Sequence, residues 1–237
     1  MNGTRGEGRG WVAAGHLRAP DGAAAVGHPA SERRRWQPDR RPGRRLFVAV
    51  PLADEPRRAV ELLVERVRAG EPVPPARGRP DVRWVRLDGL HVTLRFLGST
   101  PEEQLSAVGA AVAAAAATAA PFEIRIHGGG AFPGASRPRA VWLGVTAGEP
   151  ELAALAANLD AALEPLGWPP DERPFRAHLT LARSDGVARA RDVVARLEEL
   201  AAELDVAWRA ERLVLFESHT GRGAAVYEAL REERFGR

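Results

Sequence analysis

The sequence predicts an α+β fold, and three observations carry that prediction. Short alternating or continuous apolar runs recur from Leu46 to Leu230, the pattern of strands in a sheet. Between them lie longer stretches with apolar residues at helical spacing. Hairpin-length connections mix with helix-length crossovers, which argues against a purely parallel sheet. The second half of the chain repeats the plan of the first.

The elements follow in order. Arg45-Leu-Phe-Val-Ala-Val50 is a short apolar run ended by Pro51 and reads as a buried strand. Asp54 opens a helix with Val60, Leu63, Val64 and Val67 at i, i+3, i+4 and i+7. Gly70 to Pro80 is a Pro/Gly/Arg loop. Val82 to Arg86 and Leu90 to Leu97 alternate as strands do. Thr100-Pro-Glu-Glu103 predicts an N-cap with proline at the first helical position, and the helix continues through the alanine tract to about Ala120. Phe122 to His127 predicts a strand, then a Gly/Pro loop, then a strand over Ala140 to Val145. Leu152 to about Glu164 is helical and stops at Pro165. Pro174 introduces a strand from Phe175 to Arg183, Val187 to Leu204 is helical, and Arg212 to Phe216 and Ala225 to Leu230 are the last two strands.

Composition bounds the chemistry. The 237 residues include no cysteine, which excludes disulfides, thiolate metal sites and cysteine nucleophiles. All 34 basic residues are arginine, and without lysine there is no P-loop and no Schiff base. No run of apolar residues is long enough to span a membrane, and no secretory signal is visible, so a cytoplasmic protein is expected. Charge is unevenly placed. Residues 1–45 carry 10 Arg against 4 acids, so the remaining 24 Arg face 27 acids and the body is slightly acidic. Residues 1–44, rich in Gly, Pro, Ala and Arg, are expected to be a disordered basic tail, and residues 45–237 one folded domain. Nucleic acid would have to be bound at a local site, since the body has no global field for a polyanion.

The chemistry is carried by a motif that occurs twice. His91-Val-Thr93-Leu and His178-Leu-Thr180-Leu each fall on a predicted strand. With a side-chain period of two, each His and Thr share one face while the aliphatic residues enter the core. With seven threonines and six histidines in the chain, two such coincidences have a chance on the order of 1%. Displacement at phosphorus is in line, so it needs a proton acceptor on one side and a donor on the other. Histidine serves as either near neutral pH. Each threonine hydroxyl, beside its histidine, can donate to a phosphoryl oxygen on which charge develops.

On these residues the chain resembles the 2H phosphoesterase superfamily, and within it the RNA 2′,3′-cyclic phosphodiesterases, also called 2′-5′ RNA ligases. Further matching stretches are Arg45 to Val50, Leu90 to Gly98, Gly130-Ala-Phe-Pro133, Val141 to Gly144, Arg173 to Arg183, Leu213 to His219 and Val226 to Leu230. The resemblance implies a bilobal fold, with two pseudo-symmetric lobes of antiparallel sheet and helix around a central cleft. It implies hydrolysis of a ribose 2′,3′-cyclic phosphate to a 2′-phosphomonoester. His91 would be the proton donor to the departing 3′ oxygen and His178 the proton acceptor from water. Thr93 and Thr180 would hold the phosphate, and Arg183 would contact substrate. Arg183 lies five residues after His178, so simple alternation turns it to the opposite face, and its role requires the strand to end or bulge first. RNA or a nucleotide with a cyclic phosphate end is the implied partner. A monomer with no cofactor and no metal is expected.

Other features carry less. His127-Gly-Gly-Gly130 has no Gly-x-Ser-x-Gly companion and reads as a turn at the cleft rim. His219 lacks the spacing, and His16 and His28 lie in the tail. No His-Glu-x-x-His or carboxylate-rich ligand set is visible. Phe47 and Trp142, on apolar strands, are expected to pack in the core rather than stack a base. The alternatives are a sister activity, either 2′-5′ ligation or ADP-ribose cyclic phosphate hydrolysis, and a non-catalytic module that binds RNA ends.

Overall fold

A computed structural model describes residues 43–70, 81–186, 188–221 and 223–236. The expected tail up to residue 42, with His16 and His28, lies outside the described residues, as does the expected loop from residue 71 to Pro80. The elements are β1 (Arg44–Pro51), α1 (Asp54–Arg68), β2 (Val82–Trp84), β3 (His91–Thr100), α2 (Leu105–Ala117), β4 (Phe122–Phe132), β5 (Ala140–Ala147), α3 (Glu149–Leu163), β6 (His178–Ser184), α4 (Ala188–Ala201), β7 (Val206–Ala210), β8 (Arg212–His219) and β9 (Val226–Arg234). The fold is α+β. No described helix is long and apolar enough to cross a membrane.

The strands form one antiparallel sheet in the order β7-β4-β5-β6-β3-β1-β8-β9, with β2 added beside β6. The two motif strands, β3 and β6, are central and pair through Val92 and Leu179. On one side stand β1, β8 and β9, and on the other β5, β4 and β7. These halves are not the two halves of the sequence, because β8 and β9 return to lie beside β1. The helices are exchanged as well. α1, which follows β1, packs with α4 and reaches β7, while α3, which follows β5, packs with α2 and β3. A chain that crosses twice between the halves ties them together.

The core explains the local choices. Val60, Leu63, Val64 and Val67 of α1 are buried, as their spacing predicts. Val92, Leu94, Leu179 and Leu181 are buried from the two central strands, each contributing about 1.5–3 kcal/mol by leaving water. A largely buried ion pair, Arg95 to Asp160 at 3.0 Å, fastens β3 to α3.

Four expectations need correction. Thr100 is not an N-cap. It pairs with Arg44 as the last residue of β3, a 3-10 turn follows over Glu102–Gln104, and α2 begins at Leu105 with no side-chain cap and ends at Ala117. The glycines after His127 are not a loop. β4 runs through them, with Gly129 and Gly130 paired to Leu143 and Trp142. Gly130 is required there because a Cβ would lie 2.7 Å from the Trp142 ring. β6 begins at His178 rather than at Phe175. β7 was not foreseen; its five residues, Val-Ala-Trp-Arg-Ala, stand one residue before β8 and pair with β4.

Candidate active site

Each motif histidine opens its strand, and each is fixed by the same local device. The Nδ1–H of His91 donates to the carbonyl of Gly89 at 2.7 Å, and that of His178 to the carbonyl of Arg176 at 2.7 Å. A carbonyl only accepts, so Nδ1 carries the proton in both rings and Nε2 is left for other partners. The register then sets the two motifs together. Because Val92 faces Leu179, one further step in each direction sets His91 across from Thr180 and Thr93 across from His178. The buried side of both strands holds the aliphatic pair, so the histidines and threonines share the other face.

A second repeated device lies just beyond each threonine. β1 pairs Val48 with Arg95 and Ala49 with Thr93, which leaves Leu94 extra. β5 pairs Val141 with Ala182 and Trp142 with Thr180, which leaves Leu181 extra. Each motif strand thus carries a β-bulge three residues after its histidine. The extra residue reverses the alternation, so Phe96 and Arg183, each five residues after a histidine, return to the histidine face. This meets the condition the sequence set for Arg183. It also identifies Phe96, 61% exposed, which sequence reasoning missed; the signal was its equal spacing from His91.

His91, Thr93, Thr180, Arg183 and Phe96 line one cleft of about 1640 Å³. His178 is not among the residues of that lining. Its charge still lowers the His91 pKa, and Arg183 acts on both rings. Aromatic rings surround each imidazole. Phe47 lies 4.7 Å from His91, with Tyr227 edge-on at 5.1 Å, and Phe132 stands edge-on to His178 at 4.9 Å. Phe47 is buried as expected, and its ring also packs on His91. Trp142 is only half-buried and lies 6.4 Å from His178. Burial is the largest influence on both histidines. Burial, with smaller lowering from the charges of Arg183 and His178 and against an upward pull from the Gly89 carbonyl, brings His91 down to about 4. His178 is lowered by burial first and then by Arg183 and Arg176, against the Arg176 carbonyl.

Residues 54–222, which contain both motifs, match the family model of the 2′-5′ RNA ligase superfamily. The chain belongs to that superfamily. It is a 2H phosphoesterase of the RNA 2′,3′-cyclic phosphodiesterase family. It is similar to an RNA 2′,3′-cyclic phosphodiesterase of Archaeoglobus fulgidus, 37% identical over 139 residues, which cover 59% of this chain and 72% of that one. Its fold is similar to the crystal structure of TT0787 of Thermus thermophilus (TM-score 0.61, 32% identity, 81% of this chain and 97% of that one). It is also similar to Escherichia coli LigT complexed with 3′-AMP (TM-score 0.60, 26% identity, 82% and 99%).

The remaining histidines of this 2H phosphoesterase take other places. His127 is exposed, and its Nδ1–H donates to the Leu204 carbonyl at 3.0 Å. His219 bonds Glu228 at 3.0 Å and, with Glu217, forms a cluster whose ligand atoms lie within 4.8 Å of one another. The sequence did not show this cluster, because it assembles across β8 and β9. Alternation turns it away from Ser218 and Tyr227, the cross-strand pair that lines the cleft. Arg44 closes it with a 3.1 Å contact to Glu217.

Proposed function

We infer that this chain hydrolyses a ribose 2′,3′-cyclic phosphate to a 2′-phosphomonoester, with His91 as general acid and His178 as general base. Water attacks phosphorus and the P–O3′ bond breaks in line with it. The water proton passes to Nε2 of His178, and an Nε2 proton of His91 passes to O3′. The hydroxyls of Thr93 and Thr180 and the guanidinium of Arg183 receive the charge that grows on the phosphoryl oxygens. Phe96, an exposed ring in the cleft, offers a stacking face for a nucleobase. The observation that carries this reading is the pair of imidazoles on adjacent central strands. Each is locked through Nδ1 to a carbonyl two residues back, and both lie on the face that bears Thr93 and Thr180. The Archaeoglobus fulgidus relative, an RNA 2′,3′-cyclic phosphodiesterase by name, supports the same reaction class.

The test is turnover of an RNA ending in a 2′,3′-cyclic phosphate, with the product located by phosphorus NMR. A 2′-phosphomonoester is expected, formed in the presence of EDTA because acid, base and phosphate donors are all side chains of the chain. His91→Ala and His178→Ala should each lose about 10²–10⁴ in rate. A 3′-phosphate product, or full activity without either histidine, would overturn the assignment.

A further inference from the structure

The cleft is larger and more cationic than its central chemistry requires. About 1640 Å³ exceeds the ~300–1,000 Å³ of ordinary small-molecule pockets. Among the described residues its lining includes Arg45, Arg68, Arg83, Arg183 and Arg189 but a single carboxylate, Asp81. That excess stands on a body whose net charge is slightly negative, with 24 Arg against 27 acids after residue 45. Positive charge has been gathered on this surface although the body as a whole lacks it.

Most of these arginines follow one direction from the histidines. Arg183 lies five residues along β6 from His178, roughly 15 Å at strand rise. Arg83 of β2 is its direct cross-strand partner, so both side chains turn to one face. Like charges directly opposite one another destabilise a sheet. Asp185 grips Arg83 through both guanidinium nitrogens at 3.1 and 3.2 Å, while Arg183 has no carboxylate partner among the described residues. Beyond β2 come Arg189, at the start of α4 and held loosely by Asp81 at 3.6 Å, and Arg68, at the end of α1. Arg68 is exposed and has no ion pair among the described residues. The strands β1, β3 and β9 add the aromatic residues Phe47, Phe96 and Tyr227 to the lining, together with Arg45 of β1. Arg189 and Arg68 line the cleft from α4 and α1, not from the two motif strands that carry the histidines.

We propose that Arg189 and Arg68, approached through Arg83, form a backbone track for the nucleotides that precede the reacting end, so that the preferred substrate is a single-stranded oligoribonucleotide. The proposal rests on the hydrolytic reading above and adds a second binding site to it. The ligand chemistry is that of internal phosphodiesters, each a monoanion that one arginine neutralises. Arg183 belongs to the reacting phosphate, and Arg189 and Arg68 belong to those upstream.

The experiment compares a cyclic-phosphate-ended mononucleotide with an oligoribonucleotide of about ten residues bearing the same end, for the full chain and for the double variant Arg68→Ala/Arg189→Ala. Both side chains are surface groups, so folding should survive, and unchanged mononucleotide kcat/KM checks that it does. The wild type should prefer the oligonucleotide, and the variant should lose about tenfold of that preference. Each contact to a single strand steepens the salt dependence by about 0.7 in log–log slope. Between 50 and 200 mM salt the wild type should therefore lose about sevenfold more oligonucleotide activity than the variant. Equal behaviour of the two proteins on the oligonucleotide, or no preference in the wild type, overturns the track. If neither substrate is turned over, the hydrolytic reading fails first. The track is then read by fluorescence anisotropy with a labelled oligoribonucleotide ending in a 2′-phosphate. Affinity that depends on salt and on the two arginines upholds it, and affinity equal to that of a 2′-mononucleotide refutes it.

Discussion

Binding of the phosphate should restore the proton that burial removes from His91. In the unliganded cleft that imidazole sits at about 4, against about 6.5 for an exposed histidine. At pH 7 about one molecule in a thousand would then hold the imidazolium that a general acid requires. The deficit of about 2.5 pH units corresponds to about 3 kcal/mol. A phosphodiester monoanion about 4 Å from the ring, at an effective dielectric near 20, returns about 4 kcal/mol. The two magnitudes match, so a bound substrate anion can raise the His91 pKa enough for the ring to take a proton from solvent, as the proposed acid role needs. The measurement is NMR titration of the labelled histidine rings, free and saturated with a nucleoside 2′-monophosphate, alongside pH–rate profiles. His91 should titrate far below 6.5 in the free protein and about 2–3 units higher in the complex. The basic limb of kcat, which reports the complex, should lie correspondingly above that of kcat/KM, which reports the free protein. If His91 does not move on binding while His178 does, His178 is the acid and the roles are exchanged. If neither moves, the two-histidine reasoning fails.

The same burial has a consequence for folding. A histidine whose folded pKa is lowered supplies stability above its unfolded value near 6.5 and loses it as pH falls toward about 4, because the unfolded chain binds the proton first. From pH 7 to pH 5 this removes about 2 kcal/mol. Urea unfolding of His91→Gln should show a smaller loss over that interval, and equal losses in variant and wild type would contradict the burial. Arg183→Ala should raise both histidine titrations, modestly because burial is the larger cause, and lower kcat/KM roughly 10–10³-fold as the proposed phosphate donor is lost; unchanged titrations would mean the guanidinium lies too far from the rings to act there. Leu179→Ala empties a fully buried position where the two halves of the sheet join. It should cost about 2–5 kcal/mol by chemical unfolding, and a loss below about 1 kcal/mol would show that the junction is not held by packing.

Much of the site could be read from the sequence because strand alternation is a strong rule. The doubled His-x-Thr pattern placed both histidines, both threonines and both aliphatic pairs on their correct faces. α1 was equally legible from Val60, Leu63, Val64 and Val67. The failures arose where tertiary pairing overrides a local signal. Thr100-Pro-Glu-Glu has the composition of a helix start, but Arg44 draws Thr100 into the sheet. Three consecutive glycines read as a turn, yet the Trp142 indole occupies the space where a Cβ of Gly130 would stand. The five residues of β7 became a strand because β4 offers them an edge, and nothing local announced it.

Arg183 shows the limit most clearly. Alternation counted from His178 turns it away from the cleft, and only the extra residue at Leu181 brings it back. A bulge is a property of two paired strands, so no reading of one strand reveals it. Yet the chain carries the signal in duplicate, for Leu94 is the extra residue in β3 as Leu181 is in β6. One scaffold is thus used twice, with His, Thr and the bulge in the same places, and it differs at the position that the bulge delivers to the cleft. There the first copy has Phe96 and the second has Arg183. A symmetric pair of histidines cannot by itself distinguish an attacking water from a leaving oxygen. An aromatic ring on one side and a guanidinium on the other make the two sides of the cleft unequal, as the proposed division into an acid and a base requires.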